Sequence, residues 1–194
     1  MKLARKEFLA ISGTAAVGMP MLALGSPTEL SKGDAINGKF VMDTFRKQYS
    51  EVFGQLRDAI DTIPDDEWYK ADVDHLVPAR LAFHALELYD WAMHFPAQKP
   101  GVNSIGVKWS VQPPEKLPDR KKMKAYSREM EAKLGKWMDH YQDDLSAVHD
   151  KETGVYPFSV LHLLIYTIRH LQLVSGQMSA EIRRRGLEWK HWCW

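Results

Sequence analysis

Two histidines are the residues of this sequence best placed to do chemistry. His84 and His170 lie in the middle of two apolar segments, and each has apolar neighbours at helical spacing. A polar ring in a protein core costs about 1–3 kcal/mol unless it is hydrogen-bonded or binds a metal. Neutral imidazole is a common protein ligand for zinc and nickel. The sequence therefore predicts either a metal site between two helices or two core histidines held by Tyr166, Thr167, Gln177 or a buried water.

Composition and the absence of known motifs argue against several other kinds of functional site. The single cysteine, Cys193, excludes a disulfide within one chain and excludes zinc sites built from several cysteines. The sequence contains neither a glycine-rich phosphate-binding motif nor an H-E-x-x-H zinc motif. Lys and Arg number 26 against 25 Asp and Glu, and this balance argues against a nucleic-acid partner.

Apolar residues recurring every three or four positions predict four helices that must position these rings. The predicted helices cover about 38–63, 78–95, 119–145 and 157–185. Pro64 follows the first, and Gly186 is expected to end the fourth. No convincing alternating strand pattern occurs, so the predicted fold is all-α, a four-helix bundle.

Three further features lie between these helices or near the end of the chain. Residues 97–117 form a long proline-containing loop between helices 2 and 3, which indicates a cover or a crossover. The arginines at 183–185 are interpreted as positive charge that complements the end of the last helix, not as an anion site. Trp189, Trp192 and Trp194 are expected to pack the C-terminal tail, residues 191–194 included, onto the bundle.

The first 25 residues have the pattern of an export signal. Basic Lys2, Arg5 and Lys6 precede a mostly apolar run that ends at a small-residue cleavage site before Ser26. The pattern is similar to a twin-arginine signal with one arginine replaced. Export by the twin-arginine route and export by the general secretory route are therefore both alternatives. We expect a periplasmic or extracellular protein with no stable membrane span after cleavage. The alternative is a retained N-terminal anchor.

Two segments resemble the DinB-like metal-binding four-helix proteins. They are LAFHALE at 81–87 and IRHLQLVSGQ at 168–177, supported by IPDDEW at 63–68 and RGLEW at 185–189. The resemblance covers about residues 36–190, which we interpret as one bundle domain.

The resemblance implies a metal site and also shows a departure from the family's pattern. His84 matches the ligand of the second helix, and His170 matches the first ligand of the last helix. The third ligand position is Val174, which cannot bind a metal. Either Glu87, one turn from His84, completes the site, or the site is degenerate and the divalent metal, zinc or nickel, is absent.

Two functions of different class follow. The first is an exported DinB-like binding or structural protein with a partial, two-histidine metal site. Its ligand is unidentified, and a small molecule is compatible with this function. The second is a divalent-metal-dependent enzyme, a hydrolase or a thiol-dependent transferase, as the family's enzymatic members imply. In it, His84 and His170 would hold a metal that activates water or a thiol. A homodimer is compatible with both.

Overall fold

Four α-helices make up most of the structure. The computed structural model describes residues 37–93, 112–149 and 158–189, all within the unit Ile36–Trp194. The helices are α1 (Gly38–Thr62), α2 (Pro78–Ala92), α3 (Arg120–Tyr141) and α4 (Val160–Arg184). The described residues contain one isolated antiparallel bridge, Val148 with Ser159, and no strand. The prediction of an all-α four-helix bundle is confirmed.

Side-chain caps explain where the helices begin. Asn37, Asp119 and Ser159 each accept a hydrogen bond from the backbone N–H three residues later, at 2.9, 2.8 and 3.2 Å. These bonds satisfy N–H groups that have no partner within a helix. Pro78 opens α2, where its missing N–H costs nothing. Gly186, with a φ of +69°, follows the end of α4, as predicted.

Three predicted helix ends differ from the structure. The third helix was expected to reach residue 145, but it stops at Tyr141 because Gln142 adopts a φ of 49°. The fourth begins at Val160 rather than 157, since the chain before it pairs with residues 147–149. The second ends at Ala92, with Met93 as its cap.

Several predictions concern residues that the structure does not describe. The export signal at 1–25, the tail at 191–194 and most of the loop at 97–117 lie outside the described residues. The described end of that loop contains a short 3₁₀ helix, Pro114–Lys116. Within the described part of the chain, none of the helices is long and apolar enough to cross a membrane.

The helices that carry the two histidines, α2 and α4, pack against each other more extensively than any other pair in the described bundle. Two buried tyrosines hold α4 in register. The Tyr89 hydroxyl of α2 donates to the Thr167 carbonyl at 2.9 Å, and the Tyr49 hydroxyl of α1 donates to the Leu164 carbonyl at 2.6 Å. Burial raises the pKa of both phenols, so both stay protonated and able to donate. The Tyr89 bond fixes the height of α4 against α2, and therefore the relative height of the histidines, while the Tyr49 bond ties α4 to α1.

The arginines at the end of α4 make ion pairs with carboxylates. Arg184 binds Glu181 at 2.7 Å and Asp72 at 2.9 Å, and Arg185 binds the Glu67 carboxylate. The Arg184 hydrogen bond to the buried Glu181 holds the pKa of that carboxyl below its ordinary value. Beyond complementing the helix end, two of the three arginines therefore tie α4 to the segment after α1.

Candidate functional site

The structure brings His84 and His170 together. Their ring centroids lie 4.6 Å apart, and the rings meet edge to face at 86°. His84 comes from the middle of α2 and His170 from the middle of α4, so two different helices supply the pair. Residues 86 positions apart in the sequence thus form one imidazole pair.

Glu87 lies beside one nitrogen of the His84 ring. One turn along α2, its Oε1 atom is 3.5 Å from His84 Nδ1, at the long limit of a hydrogen bond. The side chains of His84 and Glu87 are 32% and 19% exposed, which makes this a half-buried contact. A carboxylate at one ring nitrogen orients an imidazole and increases its basicity toward a metal at the other nitrogen. This geometry suits Glu87 as a support for His84.

His170 is hydrogen-bonded to the backbone of the facing helix. Its Nε2 atom lies 3.3 Å from the carbonyl oxygen of His84. Burial lowers the pKa of His170, which that hydrogen bond partly opposes. The ring is therefore neutral at pH 7, the form that binds metals. His170 is thus hydrogen-bonded, as the core-histidine alternative predicted, but its partner is a backbone carbonyl rather than Tyr166, Thr167 or Gln177.

The two rings line an open pocket and are not sealed within the core. The pocket has a volume of about 240 Å³. Its walls carry apolar and polar side chains from α2, α4 and the turn before α2: His75, Arg80, Leu81, His84, His170, Leu173, Val174 and Gln177. Val174 is only 2% exposed but lines this space. An ion or small molecule could therefore reach both histidines from solvent.

His75 is the pocket residue that sequence reasoning missed. It belongs to a 3₁₀ helix, Asp74–Leu76, directly before α2. The side chain is exposed. As the side chains stand, the described residues hold no cluster of three His, Cys, Asp or Glu close enough to bind one metal ion. His75 therefore lines the pocket without completing a three-ligand cluster in this arrangement.

The other described histidines occupy different surroundings and are absent from the pocket lining. His149 is buried, and its Nδ1 lies 2.9 Å from the Tyr141 hydroxyl. His162 stacks on Phe158, with ring centroids 4.4 Å apart. His94 and His191 lie outside the described residues.

No protein-family model, curated protein or solved structure matches this sequence. The DinB-like resemblance therefore stays a prediction from the sequence motifs at 81–87 and 168–177.

The donor set fits part of a metal centre. Two imidazoles on facing helices can supply two of the four ligands that zinc usually takes. The half-buried Glu87 beside His84 is the kind of outer partner found behind metal-binding histidines. Water or a ligand in the pocket would fill the remaining positions.

Proposed function

We propose that this chain is an exported DinB-like binding protein in which His84 and His170 hold one divalent cation, zinc or nickel, at the wall of a small-molecule pocket. The observation that carries the proposal is the 4.6 Å separation of the two rings. Two imidazole rings from different helices meet at the wall of one open pocket.

Three further properties support a cation at this place. His170 is held neutral by burial, so no proton must leave before it binds a metal. Glu87 provides a negative charge beside His84. The pocket offers room for water or an organic ligand to complete the coordination.

Binding is favoured over catalysis because the family's third ligand position carries a valine. Catalytic zinc sites usually keep three protein ligands and one open position. Val174 instead contributes an apolar wall. The alternative function, a metal-dependent hydrolase or thiol-dependent transferase, is supported by polar Gln177 and Arg80, which line the same pocket and could orient a substrate.

Calorimetric titration of the full chain, purified without a histidine tag, tests the proposal. The parent is expected to bind one equivalent of ZnCl₂ or NiCl₂. His84→Ala and His170→Ala should each weaken that affinity at least tenfold. His162→Ala, an exposed histidine on α4 outside the pocket, is the matched control and should bind like the parent. Equal affinity in all four proteins, or no binding by the parent, would contradict the proposal.

A further inference from the structure

We propose that the pocket beside the two histidines binds a small organic carboxylate, whose negative charge pairs with Arg80 and whose short hydrocarbon chain contacts apolar side chains of α2 and α4. The inference rests on the proposed function, because it names the class of ligand that the same pocket takes. Its basis is the burial of Arg80, the chemistry of the lining residues and the position of Arg80 next to the imidazole pair.

Arg80 is a buried cation at the wall of the pocket. Its side chain is 7% exposed, and its Nη2 atom donates to the Gln112 carbonyl at 3.0 Å and to the Asp74 carboxylate at 3.2 Å. The Asp74 side chain is 73% exposed, so water screens the charge that it offers to Arg80. Because a buried charge is costly unless it is well paired, a carboxylate held in the pocket would stabilise the Arg80 guanidinium.

The lining residues favour an anion that has an apolar part. Among the described residues around the pocket, Arg80 carries the one permanent charge, and none is Asp or Glu. Leu81, Leu173 and Val174 form an apolar wall. Arginine pairs well with both carboxylates and phosphates. Inorganic phosphate would leave the apolar wall uncovered, whereas a carboxylate with a short hydrocarbon chain matches both parts of the lining.

The helix arrangement places Arg80 one turn beyond the imidazole pair. Tyr89 of α2 contacts Thr167 of α4. Earlier on α2, His84 contacts His170, which lies later on α4, so the two helices run antiparallel. One further turn toward the start of α2 reaches Arg80, whose Cβ lies about 5–6 Å from that of His84. The matching turn of α4 carries the apolar wall, so the guanidinium, the wall and the histidines can all contact one small ligand.

The size of the pocket limits the length of the ligand. Its volume of about 240 Å³ is below the range of about 300–1,000 Å³ that is typical for drug-sized molecules. A short-chain monocarboxylate such as butyrate is therefore a suitable probe. Butyramide has nearly the same shape without the charge, and acetate has the charge with a shorter chain.

Nuclear magnetic resonance titration of the full chain, stripped of metal on a chelating resin, tests this inference. Butyrate should bind at least tenfold more tightly than butyramide, because only butyrate is charged, and severalfold more tightly than acetate or inorganic phosphate, because its chain contacts the apolar wall. Arg80→Gln should weaken butyrate binding at least tenfold. Arg169→Gln removes an exposed arginine of α4 outside the pocket and is the matched control, which should bind like the parent.

Several results would overturn the inference. Equal binding of butyrate and butyramide, or no binding of either, would do so in the parent alone, whatever the stability of Arg80→Gln. An Arg80→Gln protein with the parent's circular dichroism spectrum and unchanged butyrate affinity would show that Arg80 does not hold the carboxylate. Inorganic phosphate that binds as tightly as butyrate would contradict the role of the apolar wall.

A ZnCl₂ titration of the same parent protein separates this inference from the proposed function. Zinc binding without butyrate binding would overturn the carboxylate site and leave the two-histidine cation site standing. Butyrate binding that Arg80→Gln weakens, in a parent that binds no zinc, would support the carboxylate site and overturn the proposed cation.

Discussion

If the pocket binds a cation as proposed, replacing Val174 with histidine should strengthen that binding. Residues 170 and 174 lie one turn apart on α4, so their Cβ atoms are about 5–6 Å apart on one face. Val174 is buried, but it borders a pocket of about 240 Å³. The pocket leaves room for part of a larger ring, although the position itself is buried.

The expected changes in stability follow from the burial of position 174 and from the linkage between zinc binding and folding. Placing an unsatisfied polar ring at this position should cost about 1–3 kcal/mol in the metal-free protein. In a protein of this size, that loss lowers the melting temperature by roughly 2–12 °C, at about 2–4 °C per kcal/mol. Zinc at one hundred times its dissociation constant returns about 2.7 kcal/mol, enough to recover most of the loss.

Thermal melts of the parent and Val174→His, with and without ZnCl₂, measure both effects. Val174→Asn is the matched control, because it introduces a polar group that is a poor zinc ligand. Its melting temperature should fall, and zinc should raise it no more than it raises that of the parent. The recovery in Val174→His should weaken as the pH falls through about 6.5, since a protonated imidazole cannot bind a metal. If zinc raises the melting temperature of Val174→His no more than that of Val174→Asn, the placement of α4 against the pocket is refuted.

Three other predictions concern packing, acid stability and processing. Leu164→Ala and Leu171→Ala, at fully buried positions of α4, should each cost about 2–5 kcal/mol in urea unfolding, and costs below about 1 kcal/mol would contradict the described core. The Arg184 hydrogen bond lowers the pKa of Glu181, so the ionised carboxylate stabilises the fold fully at pH values above its ordinary pKa of 4.5. That stabilisation is lost as the pH falls through the lowered pKa. The difference in melting temperature between the parent and Glu181→Gln should therefore shrink in acid, and a difference that stays constant would refute the pairing. Edman sequencing of protein from native cells should begin near Ser26, and a Met1 start in a cytoplasmic fraction would argue against export.

The sequence predicted helices best where local signals alone determine them. The predicted first helix at 38–63 matches Gly38–Thr62 because apolar spacing and Pro64 act within one segment. The third helix ends four residues before its predicted end. Apolar spacing continues to Leu145, but the chain turns at Gln142 so that residues 147–149 can pair with residues 158–160. That pairing is between distant segments, and helical periodicity carries no signal for it.

The sequence predicted only those features of the candidate site that depend on helical spacing. His84 and His170 could be expected to meet because both interrupt apolar stripes of facing helices, and the structure places them together. Glu87 could be placed one turn from His84, but spacing does not show that it lies beside Nδ1. His75 belongs to a three-residue helix whose approach to the pocket depends on tertiary packing, so no sequence period could reveal it.

Anomalous diffraction from crystals of the full chain grown with ZnCl₂, recorded on both sides of the zinc absorption edge, tests the central claim most directly. The account predicts one zinc peak in the pocket, about 2.0–2.1 Å from a ring nitrogen of His84 and at the same distance from one of His170. A fully occupied zinc elsewhere, with the two rings still in contact and no peak between them, would contradict it.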